Sequence, residues 1–313
     1  MVNIGASDCE PWDNGVMVSS EATRLWAQFA AAPKQIDLPL RERRAAGEQA
    51  ESVTSEPDGV RYESVPEVGG LVAIPEHGSG GSVLYLFGGG YVLGSPASRR
   101  KTAGHVAGAS GARVVVPDYR LAPEHPFPAA VDDAVAAYRH MLASGAPAES
   151  IVVMGDSSGG GLAVATVLAL RDTEDTLPGG VVTMSAWADL RCAGASMDSR
   201  ADVDIMATRE GLLEMAGWYL AKTPATAPPA SPVYADFARL PPLLSLAGGD
   251  EVLLDDSVRL MRGFGEAGSD ATLFIGGGMQ HVWPTWAGAL PEADAAIQLI
   301  GDWVRAHARP VTS

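Results

Sequence analysis

Gly155-Asp156-Ser157-Ser158-Gly159 holds a serine between glycines, directly after the apolar run Ile151–Met154 and directly before a helical stretch. A serine at a sharp strand-to-helix turn is lifted clear of its neighbours, and glycine or another tiny residue permits the close backbone crossing such a turn needs. The free amides and positive dipole end of the next helix favour the negative charge that builds when a serine attacks a carbonyl. The pattern has three fixed positions and is weak alone. Its bland meaning is a tight turn in any α/β protein. A nucleophile reading needs oxyanion donors, an acid and a base placed consistently around it.

Those pieces occur at the ends of other apolar runs. Val83–Phe87 leads into Gly88-Gly89-Gly90-Tyr91, where backbone amides turn toward a ligand with no Cβ in the way. A phosphate cradle is the rival, but the chain has no G-x-x-x-x-G-K-S/T and no suitably placed acid beyond a G-x-G-x-x-G. Leu243–Ala247 ends in Gly248-Gly249-Asp250-Glu251, and Asp250 is read as the orienting acid. Asp255 and Asp256 compete, but they fall in the first turn of the next helix, where acids are common for dipole reasons. Thr272–Ile275 ends in Gly276-Gly277-Gly278-Met279-Gln280-His281, a histidine on a loop after the last strand. His77 and His125 lie in turns, and His105, His140 and His307 in helical stretches, so His281 is the base candidate. The acyl-transfer constellation is then Ser157, Asp250 and His281, in that chain order.

The elements that position these residues alternate. Strands are predicted at 60–65, 71–74, 83–87, 113–117, 151–154, 181–185, 243–247 and 272–275. Helices are predicted at 99–109, 129–143, 161–171, 257–267 and 292–308. Short apolar runs alternating with helices imply an α/β fold, a mostly parallel eight-stranded sheet flanked by helices. Glu67-Val68-Gly69-Gly70 suits an antiparallel hairpin at one edge. The first 55 residues read as helical, over 21–31 and 38–50, the latter as a solvated face. The core is assigned to 56–187 and 233–313, and a helical cap to 1–55 and 188–232. The long insertion carries Trp187, Met206 and Trp218, which with Tyr91, Trp283 and Phe87 are expected to line an apolar substrate pocket.

Composition bounds the partners. The 313 residues are 47% hydrophobic and 19% charged, with no run long enough to span a bilayer. A net charge of −16 argues against nucleic acid. The two cysteines suggest no disulfide framework, and residues 1–15 lack the apolar stretch of a secretory signal, so the cytoplasm is the expected compartment. Oligomeric state is left open, a homodimer included.

Together the motifs resemble those of the bacterial hormone-sensitive-lipase-like esterases, lipolytic family IV of the α/β-hydrolases. The likeness runs from about Val60 to the end. It rests on Gly88–Tyr91, on Tyr119-Arg120-Leu121-Ala122-Pro123-Glu124-His125-Pro126-Phe127-Pro128-Ala129-Ala130, on Gly155–Gly160, and on the Asp250 and His281 segments. It implies cofactor-free hydrolysis of short- to medium-chain carboxylic esters, with a lid from the N-terminus and the insertion. It also implies oxyanion donors at Gly89, Gly90 and Ser158. The chain departs from the family at Phe87, where His-Gly-Gly-Gly is usual. The amides remain, but the imidazole's hydrogen bonds are gone, which predicts a loop held by packing. The same triad would serve a lactonase or an amide deacylase. A non-catalytic receptor on this fold would lack His281.

Overall fold

A computed structural model of the protein describes residues 9–11, 17–32, 35–49, 51–78 and 80–308. Of the N-terminal stretch read above as lacking a signal, only the backbone of 9–11 is among them, and Ala50 also lies outside. The backbones of β1 (Cys9–Pro11) and β2 (Met17–Ser19) form a short antiparallel pair. The main sheet comprises β3 (Val60–Val65), β4 (Gly70–Pro75), β5 (Ser82–Leu86), β6 (Arg113–Val116), β7 (Ile151–Asp156), β8 (Gly180–Met184), β9 (Leu243–Gly248) and β10 (Ala271–Gly276). Its order is β10-β9-β8-β7-β5-β6-β4-β3, with β4 antiparallel to both neighbours and the rest parallel. The eight strands predicted from short apolar runs are those of the main sheet, shifted by at most two residues at an end, whereas β1 and β2 fall in a stretch read as helical.

Burial follows position in the sheet. Every residue of β7, β8 and β9 is buried, as parallel strands covered on both faces must be, whereas the outermost β3 and β10 are half exposed. Right-handed crossovers set the helices. The β5-to-β6 step, through α3 (Arg100–Ser110), runs toward the β3 edge. The β6-to-β7 step, through α4 (Ala129–Ala143), reverses direction, so α4 covers the opposite face. Crossovers through α5 (Ser158–Asp172) and α8 (Leu254–Glu266) continue that way, and α4 packs on α5. The last helix, α9 (Pro291–His307), packs against α3 on the first face.

The remaining helices lie outside this frame. The side chain of Ser19 caps α1 (Ser20–Ala31), which is fastened to α9 through hydrogen bonds from Ser19 to Glu292 and an edge-to-face contact of Trp26 with Trp286 at 5.2 Å. The next helix, α2 (Leu40–Gly47), is shorter than the 38–50 expected; Arg41, Glu42, Ala45 and Ala46 are exposed as a solvated helix requires, but Arg43 turns inward. Arg43 is buried, ion-paired with Glu214 at 2.5 Å and stacked over Trp218. Arg44 donates to Glu124 and to the carbonyls of Val92 and Ala122. Basic residues read as solvent-facing here join the core to the insertion, whose helices are α6 (Ser196–Ser199) and α7 (Arg209–Leu220).

Candidate active site

Ser157 sits between β7 and α5 at φ +53°, a left-handed conformation that costs a non-glycine residue roughly 1–3 kcal/mol. The surroundings enforce it: the Ser157 amide donates to the Met184 carbonyl, and the Ser157 carbonyl accepts from Trp187. Helix α5 begins at the very next residue, three positions earlier than the glycine run suggests, because the glycines are themselves helical. Gly159 explains one of them, since a Cβ there would run into the backbone of Leu86 and Phe87 at the end of β5. Tyr91, Ser185 and Val282 also have positive φ. Like Ser157, each stands in a loop leaving the carboxyl end of the sheet.

The His281 Nε2 lies 2.9 Å from the Ser157 hydroxyl, and its Nδ1 lies 2.9 Å from the Glu251 carboxylate. A carboxylate only accepts, so the ring proton belongs on Nδ1 and Nε2 is left to accept from the serine. The acid facing the histidine is therefore Glu251, not Asp250. The turn after β9 decides this: Gly249 donates to Gly276 and Asp250 to Met279, which bonds the β9 exit to the loop leaving β10. In that turn Glu251 is fully buried, with Oε1 accepting the Gly248 amide at 3.1 Å. The Ser185 hydroxyl, a residue the sequence reading passed over, accepts the Val282 amide at 2.8 Å and favours the charged form of Glu251. Asp255 and Asp256 bind backbone amides, at Ser196 and at Ala188 and Asp189 respectively.

Burial disfavours the charged forms of both partners. It lifts the Glu251 carboxyl above its ordinary range, against the hydrogen bond of His281. It works to lower the His281 value, but the bond to Glu251 and its charge outweigh it, so the imidazole sits above the usual histidine range.

The glycine loop is held from the serine strand. Asp156, immediately before Ser157 and fully buried, accepts the Gly88 amide at 3.0 Å and the Tyr85 hydroxyl at 2.8 Å on one oxygen. Its other oxygen accepts Arg99 twice, at 3.1 and 2.9 Å. Phe87 is fully buried and stacks on Tyr119 at 4.1 Å, while the Tyr119 hydroxyl donates to the Phe87 carbonyl at 2.5 Å. Hydrogen bonds as well as packing therefore fix a loop for which packing alone was expected. The ring lies beneath the loop rather than in a pocket wall. Gly89 and Gly90 both have positive φ, and the amides of Gly89, Gly90 and Ser158 are bonded to no other described residue. The Ser158 hydroxyl accepts from Tyr91.

The proposed pocket residues divide. Tyr91 is buried, stacked on Tyr219 at 3.8 Å and tilted toward Trp187 at 6.1 Å. Trp283, two residues beyond His281, is also buried. Trp218 is half-buried under Arg43, and Met206 is 40% exposed, facing outward. Met215, an apolar residue of the insertion that was not among the six expected pocket liners, sits over Gly90: a Cβ on that glycine would strike its sulfur. A surface hollow of about 490 Å³ lined by Phe237, Arg259 and Arg262 shares no residue with this site.

Comparison with known proteins bears on the whole chain. The alpha/beta hydrolase fold family matches residues 83–285. An acetyl-hydrolase of Streptomyces hygroscopicus is 45% identical over 231 residues, which is 74% of this chain and 77% of that protein. An ethyl acetate hydrolase of Pseudomonas putida is 30% identical over 239 residues, 73% of this chain and 74% of that one. The crystal structure of an esterase from the bacterial hormone-sensitive lipase family superimposes with a TM-score of 0.88 at 39% identity, covering 93% of this chain and 99% of the other. The chain belongs to the α/β-hydrolase family, in its bacterial hormone-sensitive-lipase-like esterase branch.

Proposed function

We propose that the protein hydrolyses short- to medium-chain carboxylic esters through an acyl-enzyme on Ser157, with His281 as general base and Glu251 as its orienting acid. The carrying observation is the unbroken chain Ser157–His281–Glu251, both links at 2.9 Å. His281 takes the serine proton as Oγ attacks the ester carbonyl. Glu251 fixes the tautomer and stabilises the imidazolium. Amides of Gly89, Gly90 and Ser158 receive the oxyanion, each such donor being worth about 3 kcal/mol in related sites. His281 then protonates the departing alkoxide and activates water against the acyl-enzyme. We assign the lid to α2 and residues 188–232, with Tyr91, Trp187, Trp283 and Met215 around a closed apolar acyl site. Among the described residues no helix is long and apolar enough to cross a membrane. With Cys192 free and buried, we place the protein in the cytoplasm.

A panel of p-nitrophenyl esters of rising chain length, with lactones and anilides alongside, tests this reading. Turnover should peak at short acyl chains and vanish in Ser157→Ala. Equal rates on acetate and palmitate esters would contradict the closed site, and a preference for lactones or anilides would move the activity to those bonds. Retained hydrolysis by a clean Ser157→Ala preparation would remove the nucleophile.

A further inference from the structure

One stretch of the insertion touches three of the four loops that carry the site, all but the Ser157 turn. Asp204, in the loop between α6 and α7, is buried. One of its carboxylate oxygens closes its own turn, accepting the amides of Met206 and Ala207 at 2.8 Å. The other leaves the insertion and accepts the amide of Val252, the residue after Glu251, at 2.8 Å. Gln280, the residue before His281, is 1% exposed. Its side-chain amide donates to the Val203 carbonyl and accepts the Ile205 amide, both at 3.0 Å. The Gln280 side chain thus imitates a peptide group pairing with residues 203 and 205, which only a primary amide of this length does. Ten residues further on, Met215 covers Gly90.

We propose that Asp204 and Gln280 are positioning residues. They clamp the 203–207 loop across the Glu251 and His281 loops, so that the insertion, and not the core alone, sets the alignment of acid and base. The proposal rests on the Ser157–His281–Glu251 reading above. The core also joins these loops, through the Gly249 amide to Gly276 and through the Ser185 hydroxyl that accepts the Val282 amide. The Asp250 amide ties the loops from one side, through Met279, and the clamp ties them from the other. Because residues 203–207 lead directly into α7, the piece of chain that covers the glycine loop is also the piece that holds the histidine in line. An insertion that lifts away would leave Glu251 and His281 misaligned and the site inactive until it returned.

The charge of Asp204 supplies a readout that a purely structural tie lacks. Asp204 faces His281 electrostatically along with Glu251 and Asp156, all three favouring the imidazolium. Asp156 is paired with Arg99, and Arg200 stands near Asp250. Removing the Asp204 charge therefore lowers the pH at which His281 protonates. Removing the Gln280 amide does not.

The test is kcat, KM and the pH dependence of kcat/KM on p-nitrophenyl acetate for Asp204→Asn, Gln280→Met and the double variant, with melting temperatures measured alongside and Glu251→Gln as reference. Asp204→Asn keeps an acceptor for the Met206 turn but sets an NH₂ against the Val252 amide or the reverse. Each single variant should lose about tenfold or more, mainly in kcat, and the double should be little worse than the poorer single, because both hold one loop. The acid limb should move to lower pH in Asp204→Asn and stay in place in Gln280→Met. Folded variants with wild-type kcat and an unmoved limb, or a fall in melting temperature with kcat intact, would overturn the clamp. If Asp204→Asn does not fold, Asp204→Ser carries the same test. Wild-type turnover in Glu251→Gln would instead sink the triad reading, whereas a crippled Glu251→Gln beside silent clamp variants removes the clamp alone.

Discussion

The Asp156 carboxylate accepts the Gly88 amide at 3.0 Å, and so joins the serine turn to the glycine loop through one buried side chain. Arg99 neutralises that carboxylate from the far side at 2.9 Å. Asp156→Asn should loosen the loop and lower kcat by roughly ten- to a hundredfold, less than the loss of a single oxyanion donor because the donors themselves remain. It should also cost about 3–5 kcal/mol in unfolding free energy, because Arg99 is left buried without its partner. Urea titration and steady-state rates on the same preparation check both, and a variant with full stability and full rate would refute the coupling.

Glu251→Gln should reduce kcat by about four orders of magnitude, the loss seen when an orienting carboxylate becomes an amide and the histidine takes the wrong tautomer. Asp250→Asn should stay within about tenfold of wild type, since its carboxylate does not face the histidine. Steady-state kinetics on p-nitrophenyl acetate separate the two. A reversed ranking would restore Asp250.

The pH profile follows from the raised His281 value. The base must be neutral, so activity is lost as pH falls through the His281 value, and the acid limb of kcat/KM should lie above the ordinary histidine value of about 6.5. Glu251→Gln removes both the hydrogen bond and the charge that raise it, so the residual activity should show a limb displaced to lower pH. The stability sign is opposite to that of an ordinary ion-paired carboxylate. A raised histidine value stabilises the fold below its unfolded value, and that contribution fades as pH rises through the folded one. A limb below the usual histidine range in the wild type would contradict the geometry.

Phe87→His restores the ring the family usually carries before its glycines. Phe87 is fully buried against Tyr119, so an imidazole that finds no partner should cost about 1–3 kcal/mol. Because Asp156 and Tyr119 already hold the loop, turnover of a small acetate ester should change by less than about tenfold, with larger changes in the ranking of bulkier esters. A folded variant as inactive as Ser157→Ala would place Phe87 in the catalytic machinery itself.

The nucleophile turn and the strand sequence were legible from residues alone, because both are local. A serine at φ +53° against the backbone of a neighbouring strand needs a glycine two residues on, and a strand buried on both faces is an apolar run; each demand is written where it is met. The order of Ser157, the acid and His281 followed for the same reason, each lying just past a strand end. The acid was misread one residue early, as Asp250 in place of Glu251. Neighbouring residues in a turn leave it in different directions, and the direction was fixed by Gly276 and Met279, which reach this turn only when β10 pairs beside β9. The same dependence on distant chain hid Arg99 behind Asp156, turned Arg43 inward to Glu214, set Met206 outward, and brought Gln280 to the Val203 carbonyl. Residue type and spacing determined which chemistry was present, and tertiary packing decided which of several eligible side chains stands where that chemistry occurs.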